Sequence, residues 1–351
     1  MRGSYNNNSV RKEKGKNMAI GVDVGTYTLV SCKRNDSGDF LFKKEINAFL
    51  ELPLENRFVF NMMRQAGVPL IEREKLAYAL GEAAVNMAYT LPSLELKRPM
   101  SDGCVNPKEK DAFQILSIMI HSLIGDINDN GLLYYCIPSN AINQETDAEY
   151  HSKVLQAIFG AYESSTGKKI EARPINEALA LVYAEAADKN YTAISASFGG
   201  GMVNICFAMY GNPIFQFAVV NSGDWIDKQA AKATGESPTF INKEKMKVSL
   251  KKEPNNLVER AIQTQYKLMI EKAVSMIKNG LANAGKSVRV SEPIDFIIAG
   301  GTSSIDGFTD VFEETIKSSE LSIPIGKVIR PHDPLFSVAR GCLIAAEASL
   351  K

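Results

Sequence analysis

Glycine and hydroxyl side chains follow short apolar runs at three separate places in this sequence. The first place is residues 21–28, GVDVGTYT, which we call loop 1. A hairpin that passes close to a phosphate needs glycine at its turn, here Gly25, because a side chain would block the approach. Backbone N–H groups and the Thr26 hydroxyl would then donate to phosphate oxygens. Asp23 suits the water shell of magnesium, which takes few protein carboxylates. The alternative is an ordinary hairpin with a surface aspartate.

The second place is loop 2, residues 197–204, SFGGGMVN. Three successive glycines after an apolar run are costly in backbone entropy, and anion binding by backbone amides is one reason to keep them. A β-bulge or a crowded strand crossing is the alternative.

The third place is loop 3, residues 296–304, FIIAGGTSS. Paired glycines between a strand and a helix would let a flat base or a phosphate lie against the backbone, although a tight turn has the same pattern. Neither GxxxxGK[ST] nor GxGxxG occurs, which argues against a P-loop or a dinucleotide fingerprint.

The elements that position these loops follow one pattern that occurs twice. Residues 18–24 and residues 192–198 are β-prone, and each run is followed by a glycine turn and a further strand. This is an internal duplication at half-chain scale, and the strands and helices that alternate after each copy indicate α/β layers. We also predict a strand at 57–60 and a helix over 72–87. No long linker separates the halves, which favours two lobes around a cleft.

Composition excludes several classes of function. The chain has 351 residues, of which 45% are hydrophobic, which is enough for two domains. Its 40 basic and 40 acidic side chains cancel, so no global field attracts nucleic acid, and none is predicted as a direct partner. Five cysteines without a CxxC pair indicate reduced thiols in a cytoplasmic protein. No apolar run has the length of a transmembrane segment.

The three loops, in this order, resemble the phosphate and adenosine motifs of the actin, sugar-kinase and heat-shock chaperone ATPases. Residues 23–26 match the first phosphate motif, residues 198–201 the second, and residues 298–303 the adenosine motif. The resemblance implies the actin-type α/β fold, in which two ribonuclease-H-like domains enclose a nucleotide cleft. It implies ATP or ADP with Mg²⁺ as cofactors.

The resemblance also implies a domain layout. We expect a disordered polar tail over 1–17, lobe I over 18–173 and lobe II over 174–351. Loop 1 falls in lobe I, which would carry a small insertion at about 50–85. Loops 2 and 3 fall in lobe II, which would carry a helical insertion at about 226–288.

Within this superfamily the sequence is most similar to bacterial actins of the MreB and MamK kind. The similar segments lie between and beside the loops, at residues 80–84, 98–103, 136–139, 176–180, 222–227 and 244–247.

The likeness assigns roles to individual residues. Glu177 would orient the hydrolytic water, and Asp23 would hold magnesium through a water molecule. Ser197 stands where the family has an aspartate, so hydrolysis is expected to be slow or altered, and Asn204 is a second departure from the family pattern. The residues expected to bind nucleotide are Gly25, Thr26, Tyr27, Gly199, Gly200, Gly201, Gly223, Asp224, Glu244, Lys247, Gly300, Gly301, Thr302 and Ser303.

The function implied is that of a cytoskeletal ATPase that polymerises head-to-tail with copies of itself, and adaptor proteins are left open. A nucleotide-sensing scaffold or chaperone-like ATPase of the same fold is the main alternative, and a sugar or acetate kinase is a third.

Overall fold

The computed structural model describes residues 18–91, 94–127, 131–284 and 288–350. The tail predicted over residues 1–17 lies outside the described residues. The strands, in chain order, are β1 (Met18–Val24), β2 (Thr28–Arg34), β3 (Phe40–Ile46), β4 (Phe49–Pro53), β5 (Leu70–Arg73), β6 (Leu76–Leu80), β7 (Met100–Ser101), β8 (Cys104–Val105), β9 (Gly131–Ile137), β10 (Ile170–Asn176), β11 (Ala193–Phe198), β12 (Val203–Met209), β13 (Asn212–Val219), β14 (Ile294–Ala299) and β15 (Ile325–Ile329). The helices are α1 (Arg57–Gln65), α2 (Gly81–Thr90), α3 (Ala112–Ile124), α4 (Ala148–Thr166), α5 (Glu177–Glu185), α6 (Gly223–Thr234), α7 (Pro238–Lys245), α8 (Leu257–Ala284), α9 (Phe308–Ser318) and α10 (Ser337–Ser349).

Two five-stranded sheets have the same topology. The first sheet has the order β10-β9-β1-β2-β3, and the second has the order β13-β12-β11-β14-β15. In each sheet three strands form an antiparallel meander, and two later strands join it in parallel. The internal duplication and the actin-type α/β fold are therefore confirmed.

Two helices cross between the sheets. Helix α5 follows β10 of the first sheet but packs on β11 and β12 of the second, whereas α10 follows β15 of the second sheet and packs on β1 and β9 of the first. The crossing is close because Gly341 lies there: a Cβ on Gly341 would be 1.8 Å from the carbonyl oxygen of Ala180. A larger residue at this position would push the two halves of the molecule apart.

Two local predictions were wrong. Residues 57–60 belong to helix α1, in which the Asn56 side chain accepts a hydrogen bond from the Val59 amide and Met63 is fully buried. The predicted helix over 72–87 contains the end of β5, strand β6 and the start of α2. Glu74 has a φ of 52°, which turns the chain between the two strands. Tertiary pairing in the three-stranded sheet β4-β6-β5 overrides the helical spacing of this run.

The lobe boundaries remain a prediction, and the described elements locate them as follows. The boundary at 173/174 falls inside β10, and α10 packs on the first sheet although it lies in the second half of the chain. The small sheet β4-β6-β5 falls within the first half, and helices α6, α7 and α8 separate β13 from β14. Among the described residues, none of the helices combines the length and the apolarity that crossing a bilayer requires.

Candidate functional site

All three loops line one cavity of about 430 Å³ between the two sheets. Strands β1, β11 and β14 each end at this cavity, so the polar residues that follow them meet there. Most residues predicted to act on nucleotide are in the lining, namely Asp23, Gly25, Thr26, Tyr27, Glu177, Ser197, Gly199, Gly200, Gly201, Gly223, Asp224, Gly300, Gly301 and Thr302.

Loops 1 and 2 touch each other across the cavity, and glycine makes this contact possible. A Cβ on Gly201 would be 2.5 Å from the Thr26 Oγ1 atom and 2.4 Å from the amide nitrogen of Gly103. Because real Cβ atoms do not approach other atoms so closely, any side chain at Gly201 would separate the two halves. The glycines thus serve the approach of the two loops to each other.

Two carbonyl groups of loop 2 accept hydrogen bonds from neighbouring residues. The Gly199 carbonyl accepts hydrogen bonds from the hydroxyls of Ser222 and Thr302, the latter at 2.7 Å. The Gly200 carbonyl accepts from the amide of Asp224 at 2.7 Å. Within the described ranges, the amides of Gly200 and Gly201 donate no backbone hydrogen bond. A loop attracts anions when its carbonyl oxygens already accept hydrogen bonds and its N–H groups are not used in backbone hydrogen bonds.

Two carboxylates, those of Asp23 and Glu177, line the cavity. Asp23 is the penultimate residue of β1, and its Oδ1 accepts a hydrogen bond from Cys136 Sγ at 3.0 Å. Glu177 begins α5, where the Asn176 side chain caps the helix by accepting from two backbone amides. Burial raises the pKa of Asp23 to about 6, and burial together with the negative charge of Asp23 raises the pKa of Glu177 to about 8. Both charged forms would be stabilised by a cation in this cavity.

Neutral residues form the hydrogen-bond network around the carboxylate of Glu177. Ser197 and Asn204 face each other on neighbouring strands, and Asn204 Nδ2 donates to Glu177 Oε2 at 2.8 Å. The amide of Ser139, which follows β9, donates to Asn204 Oδ1 at 3.0 Å. Glu177 is therefore held by hydrogen-bond donors, and no basic side chain neutralises it among these contacts.

An ion pair lies beside the cavity. Arg98 Nη1 lies 2.6 Å from Asp224 Oδ1, and the Arg98 guanidinium stacks over the ring of Tyr27 at 4.8 Å. Tyr27 in turn donates its hydroxyl to Asn242 Oδ1 at 3.2 Å. Loop 1 and helices α6 and α7 are joined by these contacts, which sequence reasoning did not find.

Helix α7 presents a different lysine to the cavity from the one we expected. Glu244 and Lys247 are outside the lining and pair with each other at 2.6 Å on the surface. Lys245 lines the cavity instead, is only 6% exposed, and lies 2.7 Å from Asp227 Oδ1. The helix register explains the difference, because the Ser237 cap starts the helix so that position 245 falls on its buried face.

Ser303, which we expected to bind nucleotide, does not line the cavity. It is fully buried behind loop 3, where its hydroxyl donates to the Gly300 carbonyl at 2.8 Å, and the neighbouring Ser304 lines the cavity. A serine at this position therefore shapes the loop from behind.

Comparison with known proteins agrees with this architecture. The profile of the Volactin family matches residues 18–346. No curated protein matches the sequence significantly. The MamK double helical filament superposes with a TM-score of 0.67 at 16% identity, covering 95% of this chain and 99% of MamK.

Two further solved structures have the same fold. MreB5 of Spiroplasma citri bound to AMPPNP gives a TM-score of 0.65 at 15% identity, covering 95% of this chain and 97% of that one. The ethanolamine utilization protein EutJ from Carboxydothermus hydrogenoformans gives 0.51 at 19% identity, covering 94% and 90%. The resemblance to actin-like ATPases of the MreB and MamK type is confirmed. Because the profile match spans nearly the whole chain, this protein belongs to the Volactin family, and its fold is that of the actin-like ATPases.

Proposed function

We propose that this protein binds ATP with magnesium in the central cavity, hydrolyses it slowly and assembles head-to-tail into filaments. The observation that supports the proposal most is the convergence of the three loops on one cavity. The amides of Gly200 and Gly201 in loop 2 would donate hydrogen bonds to phosphates, whereas loop 3 and Lys245 line the part that would hold the nucleoside.

The residues of the cavity fit a magnesium ion that is held largely through water and phosphate. In the described ranges, no three acidic, histidine or cysteine side chains are clustered closely enough to hold a metal by themselves. Magnesium often uses one or two carboxylates with substrate phosphates, and Asp23 and Glu177 offer two carboxylates whose charged forms burial disfavours. Bound there, magnesium would neutralise charge on the phosphates.

Glu177 would orient the water that attacks the terminal phosphate. Asn204 donates to its Oε2, and the other carboxylate oxygen would accept a hydrogen bond from the attacking water. Water would displace ADP from the phosphoryl group, and the protein would contribute mainly position and charge stabilisation. Ser197 brings no charge to this side of the cavity, which supports a slow reaction.

The test of nucleotide binding is calorimetric titration with ATP in the presence of magnesium, with GTP as the competitor and AMP as the phosphate-poor control. We expect ATP to bind much more tightly than AMP, because the loops provide amides for the additional phosphates. Equal affinities for ATP and AMP would contradict the proposal.

The test of assembly is sedimentation and negative-stain electron microscopy with ATP and magnesium. MamK forms a double helical filament and MreB5 binds AMPPNP and ADP, and this likeness motivates the assembly proposal. A heterologous contact that does not close produces filaments. If ATP binds but no polymer forms over a range of salt and protein concentrations, the filament part of the proposal fails.

The second candidate is a nucleotide-sensing scaffold that does not polymerise. The replacement of a charged residue by Ser197 favours it, because binding could persist without efficient turnover. Tight ATP binding, absent phosphate release and absent polymer together would support this candidate over the first.

A further inference from the structure

Asn47 lies directly behind loop 1, at the junction between β3 of the first sheet and β4 of the small sheet. Its side chain is fully buried although it is polar. No motif marks this residue in the sequence, and it does not line the cavity. Its hydrogen bonds are nevertheless made to loop 1, which we expect to bind phosphate.

Two hydrogen bonds connect Asn47 to loop 1. The side-chain Nδ2 donates to the carbonyl oxygen of Gly25 at 3.0 Å, and the backbone amide donates to the carbonyl oxygen of Tyr27 at 2.8 Å. The carbonyl oxygens of the residues on both sides of Thr26 thus accept hydrogen bonds from one residue, Asn47. The opposite orientation of the Asn47 amide would set two oxygens against each other, so the donor orientation is fixed by chemistry.

These bonds decide which backbone groups loop 1 presents to the cavity. In the part of the chain that the structure describes, the amides of Gly25, Thr26 and Tyr27 donate no backbone hydrogen bond. An anion is attracted by backbone N–H groups and repelled by carbonyl oxygens. In loop 2 the hydroxyls of Ser222 and Thr302 have the corresponding role, because they donate hydrogen bonds to the Gly199 carbonyl.

The position of Asn47 carries a cost for the folded state. Its Oδ1 atom is buried and has no hydrogen-bond partner among the described residues. An unpaired buried oxygen destabilises the folded state, and an apolar residue of similar size would avoid that cost. If Asn47 served packing alone, an apolar side chain would be more favourable than its side-chain amide.

We propose that Asn47 is a positioning residue for phosphate: by holding the Gly25 and Tyr27 carbonyls from behind, it keeps the amides of loop 1 available to the nucleotide's phosphates. The inference rests on the proposed ATP binding and extends it to a residue outside the cavity. It also separates phosphate recognition, by loops 1 and 2, from nucleoside recognition, which loop 3 and Lys245 of α7 would provide.

The test is the affinity of two variants for ATP and for adenosine, measured by calorimetry and by competition. Asn47→Leu removes the donor and the unpaired oxygen together, whereas Asn47→Asp keeps the shape but places a carboxylate against the Gly25 carbonyl. We expect both variants to bind ATP about 10-fold more weakly, as the loss of one hydrogen bond implies, and to bind adenosine as the wild type does. We also expect Asn47→Leu to retain its thermal unfolding midpoint.

Asn212→Asp is the matched control, because Asn212 is an exposed residue at the start of β13. It should leave both affinities unchanged. If ATP and adenosine affinities fall together, or if neither variant folds, Asn47 has a structural role only and the inference is overturned. If the wild type binds ATP no better than adenosine, the proposed function itself fails, and the inference fails with it.

Discussion

Arg98 and Asp224 join the two halves of the molecule beside the central cavity, with 2.6 Å between Nη1 and Oδ1. Arg98 precedes β7, and Asp224 lies in the first turn of α6, so the pair spans parts of the chain that are 126 residues apart. Both side chains are mostly buried, and the pair is less screened by salt than a surface pair.

We predict that Asp224→Asn accelerates nucleotide release. The variant weakens the contact that holds the halves together, so the dissociation rate of a fluorescent ATP analogue should rise by about 5-fold, as expected for the loss of about 1 kcal/mol. Stopped-flow displacement measures this rate. Glu347→Gln, which breaks the more exposed pair with Arg34, should leave it unchanged. Equal rates in wild type and Asp224→Asn would show that the pair does not control release.

Glu177→Gln should separate binding from hydrolysis. The amide is isosteric but a poor acceptor for the proton of the attacking water, so phosphate release should fall by about 100-fold or more. ATP affinity should change little. A coupled assay of phosphate release measures the effect, and Glu163→Gln, on the exposed face of α4, is the control. Retained phosphate release in Glu177→Gln would remove Glu177 from the reaction.

Ser197→Asp should have opposite effects on stability and on turnover. Ser197 is 2% exposed and lines the same cavity as the carboxylates of Asp23 and Glu177, so a third negative charge there should lower the free energy of unfolding of the nucleotide-free protein by about 1–3 kcal/mol. Magnesium and ATP should reverse this loss, and phosphate release should increase. Thermal unfolding with and without MgATP measures the first effect, and Ser197→Asn separates charge from size. A variant that gains no turnover would argue that the serine is not what makes the site slow.

Lys245, the last residue of α7, and Lys247, in the turn that follows it, provide a matched pair. Lys245→Met should lower the free energy of unfolding by about 3–5 kcal/mol, because it leaves the buried carboxylate of Asp227 without its cation. It should also weaken ATP binding, since Lys245 lines the cavity. Lys247→Met should change neither quantity measurably, because Lys247 is exposed and, among the described residues, its ion pair is with Glu244 alone. The reverse result would restore the role that the sequence assigned to Lys247.

His151 should make the protein sensitive to acid. It is fully buried, its Nδ1 accepts from the Val105 amide, and burial lowers its pKa to about 4 from an ordinary value of 6.5. The unfolded chain therefore binds an additional proton between these values, so stability falls as pH decreases from about 6.5 to about 4, by up to about 1.4 kcal/mol per pH unit.

Urea unfolding at pH 7 and at pH 5 measures this contribution. His151→Gln should reduce the difference in unfolding free energy between the two pH values, whereas His332→Gln should not, because the His332 side chain is 98% exposed. An unchanged difference in His151→Gln would assign the acid sensitivity to other groups.

Local sequence was sufficient for the features that depend on neighbouring residues. The strand, glycine turn and strand of loops 1 and 2 are set by apolar runs that end in glycine, so their positions and the duplicated α/β fold could be predicted. The helical spacing over 72–87 failed because the turn at Glu74 and pairing with β4 decide that region. The register of α7 failed for a related reason, since its start at Ser237 sets which lysine is buried.

The sequence by itself determined the three loops, the order of the two halves and the kinds of residue that could meet phosphate and magnesium. Only the tertiary structure decided which side chains support those loops from a distance. Asn47 ties loop 1 from behind, Asn204 holds Glu177, and Arg98 reaches Asp224, each across a large sequence separation. Such contacts depend on how two sheets pack and how α5 and α10 cross at Gly341, and no short segment of sequence encodes that arrangement.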